Sequence, residues 1–365
     1  MYVSILTLIC VLENEMTLGF DKFCDGNVRN KRQAYAAMCR SVCLIFAITF
    51  LSLFLNEAVA HILSKNMLKL ESFFVGLLER MGVARTFAII AVRDFISSGV
   101  LFEFIGIVSS VLTMVIPAAL FAKLMGFKKG ECFNVGGRLV KGFFCVFCIG
   151  QLFTVAASFF SNGIYDFLIP PVTGVYTGSF TAYSADIFVF VMDVLFTCIL
   201  VPVIEEYVFR GVLFGYLRRY GLAFGILSSA VLFGLSHSAP VQSVYAFTFG
   251  VLSAFVLAVT GNIKTSILLH ASNNFVTVVT GYVQIFTGEI MATVVYCIYL
   301  MIVIVFAFLG IRRFVSEGGL YEEFSDVEKE NDGGLCEKPG IAQIFTIPLL
   351  LYIALYAYRF LSQVI

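Results

Sequence analysis

Glu205, Glu206 and Arg210 stand in the run VPVIEEYVFRGVLFGYLRR, where nearly every other residue before the terminal arginines is apolar. On a helix, Glu206 and Arg210 are four residues apart and share a face, the spacing at which a carboxylate and a guanidinium pair. Glu205 points about 100° away. It has no local partner, and a buried carboxylate left alone requires either a proton or a dedicated ligand. Glu206 also lies ~18 Å from Arg218 at the helical rise, too far in to belong to a surface charge cluster unless the helix breaks at Gly211 or Gly215.

The chain has only three histidines. His237 ends one apolar run, as Phe233-Gly-Leu-Ser-His237, and His270 sits in another, as His270-Ala-Ser-Asn-Asn274. His270 and Asn274 are four apart, so an imidazole and an amide project from one helical face toward one point. His61, close to Asn56 and Glu57, reads as an interfacial residue instead. A carboxylate beside an imidazole polarises water as a general base. A second imidazole and an amide donate to an oxygen that is becoming negative. These are the parts of peptide hydrolysis with water as nucleophile, and neither a Ser-His-Asp pattern nor a G-x-S-x-G elbow competes with them. The same Glu205, His237 and His270 also form a known ligand set for Zn²⁺ or another divalent metal. H-E-x-x-H is absent, and the residues leave metal-bound and metal-free chemistry both open.

The elements that must position these side chains are membrane helices. Mean hydropathy is +0.95, 60% of residues are hydrophobic and 13% charged, with forty Phe and no Trp; lipid rather than water is the solvent. Formal net charge is zero and no nucleic-acid motif occurs, which removes that partner class. The cysteines lie mostly in apolar runs and read as small hydrophobes, the pair Cys145 and Cys148 included. The fold class expected is all-α, a polytopic bundle of eight or nine spans near 41–60, 100–122, 142–162, 186–208, 222–237, 243–260, 265–284, 290–311 and 342–361. No Lys, Arg, Asp or Glu interrupts the stretch from Tyr220 to Ile263.

By region, 1–98 reads as an N-terminal segment with the first span and basic amphipathic helices over 62–97. Residues 99–311 form the transmembrane core, with the motif region at 186–284; 312–341 is a polar linker and 342–365 carries the last span. Residues 3–12 are too short to span, and Met16 offers an alternative start. Lys31, Arg32, Arg40, Lys123, Lys128, Lys129, Arg138, Lys141, Arg218, Arg219, Arg312 and Arg313 fall on one side of this topology, which puts the N-terminus in the cytoplasm of a cell-membrane protein. Measured from the basic ends, Glu206 and His237 come out ~18 and ~24 Å deep but His270 only ~9 Å beyond Lys264. The seventh span therefore has to begin deeper, or the short fifth has to tilt beside a water-filled cavity.

Glu205-Glu206-xxx-Arg210, Phe233-xxx-His237 and His270-xxx-Asn274, in that order on separate apolar helices, resemble the three motifs of the CAAX-protease and bacteriocin-processing family, which includes the type II CAAX prenyl endopeptidases. The resemblance covers about 186–284. It implies an intramembrane endopeptidase in which Glu205 and His237 activate water, His270 and Asn274 form the oxyanion hole, and Glu206 with Arg210 braces the site. Metal dependence stays open. The implied partners are membrane lipid and a peptide or membrane-protein substrate, such as a bacteriocin leader, a signal-like peptide or a lipidated C-terminus. Two alternatives stand beside it: a non-proteolytic immunity or regulatory protein bound to a membrane partner, and a transporter, since buried carboxylates also mark ion paths. No inverted hydropathy repeat supports the transporter.

Overall fold

The computed structural model describes residues 31–97, 100–128, 130–133, 142–168, 186–237, 239–316 and 339–364. The stretch 3–12, Met16, Lys129, Arg138, Lys141, most of the loop 163–185 and most of the linker 312–341 lie outside these. Every regular element among the described residues is helical, as the composition requires. We label them α1 (Lys31–Arg80), α2 (Arg85–Ser97), α3 (the run 100–124), α4 (Phe143–Leu168), α5 (Ile187–Tyr220), α6 (Leu222–Leu235), α7 (Pro240–Thr260), α8 (Ile263–Thr287), α9 (Glu289–Ser316) and α10 (Ile347–Val364). Six helices are long and apolar enough to cross a membrane; α6 and α10 are shorter apolar helices, and α8 carries the polar motif residues. The expected span count is compatible with this set.

One boundary differs from the expectation. The helix that carries the first span does not stop near residue 60: α1 runs unbroken for 50 residues, ~75 Å at the helical rise and far more than a hydrocarbon core of ~30 Å, so it continues beyond the span. Ala34, Ala37, Met38, Ser41, Val42, Ile45 and Ile48 form its buried stripe at three- and four-residue spacing. Beyond Ile48 the helix is largely exposed until Val75, which packs with Ala88 and Val92 of the returning α2. No Gly or Pro occurs between Lys31 and Val75, and nothing local breaks the helix. Outward-facing Phe and Leu side chains, among them Phe50, Phe54, Phe104, Phe153, Ile290 and Phe308, are exposed in the fold; on membrane helices that is the lipid-facing surface.

The helices that carry the motifs pack through small residues. Against α7, a side chain at Gly234 would strike the Ser243 carbonyl, and one at Gly250 would crowd Ala230. Such contacts bring backbones together where no hydrophobic force between helices exists. The turn from α7 to α8 is made by Gly261 in the left-handed region (φ 62°) and by Asn262, whose side chain accepts from the Lys264 N–H at 3.0 Å. Asn262, Ile263, Thr265 and Ser266 are buried while Lys264 is exposed. The first turn of α8 is thus packed inside the bundle with its lysine turned outward.

Over this turn and over α5 lies the loop 125–133. Arg219 holds it: Nη1 donates to Met125 O and Nη2 to Glu131 Oε1, each at 3.4 Å, and the guanidinium stands 4.3 Å from the centre of the Phe127 ring. Phe133 stacks on Tyr207, and the Cys132 carbonyl rests where any side chain at Gly211 would collide with it. Burial pushes the Cys132 thiol up to about 11. Glu131→Gln removes the ion pair and a charge that helps hold that thiol protonated. It should raise maleimide labelling of Cys132 several-fold, mapped by peptide mass spectrometry, while global stability moves by less than about 1 kcal/mol, as for an exposed pair. Unchanged labelling would mean that the aromatic contacts alone pin the loop.

Candidate active site

Three stretches of the bundle are wound in the wider π register: Val111–Val115, Val194–Leu200 and Tyr207–Phe214. Glu205 and Glu206 end the short α-helical stretch Val201–Glu206 between the last two. Their carboxylates converge on opposite nitrogens of one ring. His270 Nδ1 is 3.0 Å from Glu206 Oε1, and His270 Nε2 is 3.6 Å from Glu205 Oε2. The expected Glu206–Arg210 pair forms, with Nε to Oε2 at 3.1 Å, and Ser253 Oγ on α7 donates to the same oxygen at 2.8 Å. Glu206 is fully buried, with Arg210, Ser253 and His270 all held to its two oxygens. Glu205, whose side chain is 20% exposed, is the less enclosed of the two carboxylates.

Phe233 ties the first motif to the other two. Its ring carries the Arg210 guanidinium at 4.2 Å from its centre and meets His270 and His237 edge-on at 5.9 and 4.9 Å. Phe249 closes on His270 from α7 at 5.0 Å. His237 is half-buried at the end of α6, with Nδ1 2.9 Å from Phe233 O. Among the described residues no ion pair joins it to Glu205, and Phe233 contacts both imidazole rings.

Asn274 does not share a target with His270, as their spacing had led us to expect. Its Nδ2 donates to the Thr197 carbonyl at 2.8 Å. Backbone geometry supplies the reason. In the π register each N–H reaches back five residues, as Val201 does to Phe196 O. Residue 202 would then pair with Thr197, but it is a proline and has no N–H. The freed carbonyl is what Asn274 satisfies. Asn273, which the motif spacing passed over, is 4% exposed. It accepts from Tyr245 OH and, at 2.8 Å, from Gln151 Nε2, which ties α8 to α7 and α4. Ser253, Asn273 and Gln151 gave little signal in the sequence because single neutral polar residues in apolar helices are common. A second acidic group, Asp193 with Tyr282 OH at 2.6 Å and the Glu103 carboxyl, lies two to three turns away along α5.

Among the described residues no three His, Cys, Asp or Glu side chains converge as ion ligands. Of Glu205, His237 and His270, only Glu205 and His270 are paired, and His270 Nδ1 is engaged by Glu206. The arrangement does not fit a three-ligand ion.

Removing Glu206 strands a buried guanidinium, so Glu206→Ala should cost about 3–5 kcal/mol in detergent unfolding, while Glu205→Gln stays near wild type. Asn274→Leu should cost about 1–3 kcal/mol through the orphaned Thr197 carbonyl. Pro202→Ala returns an N–H to that carbonyl, and in the double variant part of the Asn274→Leu loss should disappear, a coupling of at least about 0.5 kcal/mol in a double-mutant cycle. Strict additivity would separate the two residues.

Residues 187–276, about a quarter of the chain, match the family described as Type II CAAX prenyl endopeptidase Rce1-like. No curated protein and no solved structure was found to match. The matched stretch contains Glu205, Glu206, Arg210, Phe233, His237, His270 and Asn274, the residues of the three motifs. Through those residues, this multi-pass membrane chain is similar over 187–276 to the type II CAAX prenyl endopeptidases.

Proposed function

We propose that the protein hydrolyses a peptide bond of a membrane-associated peptide or protein, with Glu205 as the general base. The observation that carries this reading is the contrast between two adjacent carboxylates: Glu206 is sealed and saturated, and Glu205 is partly exposed with His270 Nε2 3.6 Å from its Oε2. That distance leaves room for adjustment, as is usual for catalytic contacts without substrate.

With Glu206 and Arg210 neutralising each other, Glu205 and His270 together are neutral when they hold one exchangeable proton beyond the Nδ1–H anchored on Glu206. Water attacks the substrate carbonyl as Glu205 takes its proton, and the C–O bond forms. The carbonyl oxygen becomes negative, and His270 Nε2–H is the donor nearest to Glu205. The C–N bond then breaks, and the proton held by Glu205 passes to the departing nitrogen. His237, with Nδ1 turned to Phe233 O, keeps Nε2 for the water or the substrate. Asn274 serves as a positioning residue that fixes α5 against α8. The basic helix ends and the N-terminus lie on the cytoplasmic side in this reading.

The test is cleavage of a membrane-peptide library by the full chain in lipid vesicles. Glu205→Gln should lower kcat by about 10²–10⁴-fold with KM little changed, the size expected for loss of a general base. Equal cleavage by Glu205→Gln would remove the residue from the chemistry. No cleavage by a folded wild type of any peptide would favour a non-proteolytic membrane partner of the same family.

A further inference from the structure

Next to the motif helix lies a cavity of about 440 Å³, open on one side, between α4, α7, α8 and α9. It begins within one helical turn of His270, where Tyr245 and Gln151 meet Asn273, and follows α8 as far as Gly281. The size is that of a ligand site. Its chemistry is unusual for a space between membrane helices, because Ser158, Asn162, Thr277, Thr280, Tyr296 and Tyr299 all line it and no charged residue does.

Three occupants can be weighed against that lining. A hydrocarbon chain would find Val155, Phe159 and Val276 but would leave the hydroxyls and amides between them unmatched, and a cation would need carboxylates that the walls lack. An unwound stretch of polypeptide has the complementary need. Each residue brings one N–H and one C=O that lipid cannot satisfy, so non-helical backbone at membrane depth survives only where protein polar groups or water receive it. Neutral hydroxyls and amides both donate and accept. Thr277 and Thr280 already give their protons to carbonyls of α8, Asn273 O at 3.3 Å and Val276 O at 2.7 Å, which leaves their oxygens as acceptors. Tyr299 OH is fixed on Gln151 Oε1 at 2.9 Å, which aligns the inner wall.

We infer that this cavity receives the unwound segment of a substrate polypeptide next to the scissile bond, an inference that rests on the protease reading and names the part of the substrate that is recognised. Hydrolysis needs such a segment, because in an intact helix the carbonyl is hydrogen-bonded and enclosed by side chains. The position beside His270, in the half of the bundle away from Arg218 and Arg219, lets a chain descend along α8 until one carbonyl arrives at Glu205.

The experiment separates this inference from the protease reading. Full-length Glu205→Gln protein in phosphatidylcholine vesicles carries a benzophenone side chain in place of Thr280. It is offered biotinylated peptides of about 20 apolar residues, either a continuous Leu/Ala helix or the same peptide with a central Gly-Pro pair. The interrupted peptide should be captured several-fold more efficiently. Equal capture of both, or labelling of lipid alone, overturns the inference even if wild type cleaves peptides. In otherwise wild-type protein, Thr280→Leu and Ser158→Leu should each raise KM about tenfold with kcat retained, the mark of lost uniform binding, and Thr280→Ser should restore it. A fall in kcat with KM unmoved counts against the site. Selective capture without any cleavage would sink the protease reading and keep the peptide site.

Discussion

One fully buried carboxylate organises the centre of this protein. Glu206 takes Arg210 from its own helix, Ser253 from α7 and His270 from α8. A buried carboxylate is tolerated when its lone pairs are matched, and the match for Glu206 requires three helices to hold one relative placement; the Arg210 guanidinium is held by charge and by the Phe233 ring, with no hydrogen bond from its nitrogens among the described residues. The pairing therefore acts as a geometric lock more than as a source of net stability. Its product is the fixed orientation of His270: with Nδ1 held by Glu206, Nε2 must face Glu205.

The π-helical stretches explain how one short segment serves both the lock and the open site. A π turn changes the angular step along the helix and leaves carbonyls without their usual donors. Two such stretches flank Val201–Glu206 in α5. Pro202 deepens the deficit after the first, and the cross-helix bond from Asn274 repairs it. An unpaired carbonyl and its repair are thus built into the same pair of helices that carry the acid and the imidazole. A straight α-helix would leave Thr197 O bonded internally and Asn274 without that partner.

Much of this was legible in the sequence, for identifiable reasons. Helix positions followed from charge-free runs, and the Glu206–Arg210 pair followed from four-residue spacing, because both depend only on local geometry. Glu205 near His270 was expected as part of one pocket, but the contact of Glu206 with His270 Nδ1 was not, since it depends on how α5 rotates in the π register. Asn274 was legible as important but not in its target: spacing says that two side chains share a face, and it does not say that a neighbouring helix will expose a free carbonyl. The continuous α1 was misjudged near residue 60 because Lys65 and Lys69 look like a membrane boundary, yet charge ends a span without ending a helix. Asn273 and Ser253 were hidden, since a hydrogen-bonding role across helices leaves no periodic signature.

The distribution of polarity supplies a last step. The charged groups of the site form a compact layer, Glu205, Glu206, Arg210 and His270, whose charges cancel when one proton is shared between Glu205 and His270. Beyond that layer, toward the far ends of α7 and α8, the polar residues are neutral: Asn273, Gln151, Tyr245, Thr277 and Thr280. On the other side the loop 125–133 and the buried first turn of α8 close the bundle beneath Arg219. A neutral reaction layer can be built in lipid without drawing in counter-ions, and a neutral polar approach can solvate a backbone without competing for the catalytic proton. For the proposed hydrolysis, charge confined to the Glu205–His270 layer and neutral hydrogen bonding along α8 would divide the labour in the way a membrane interior favours.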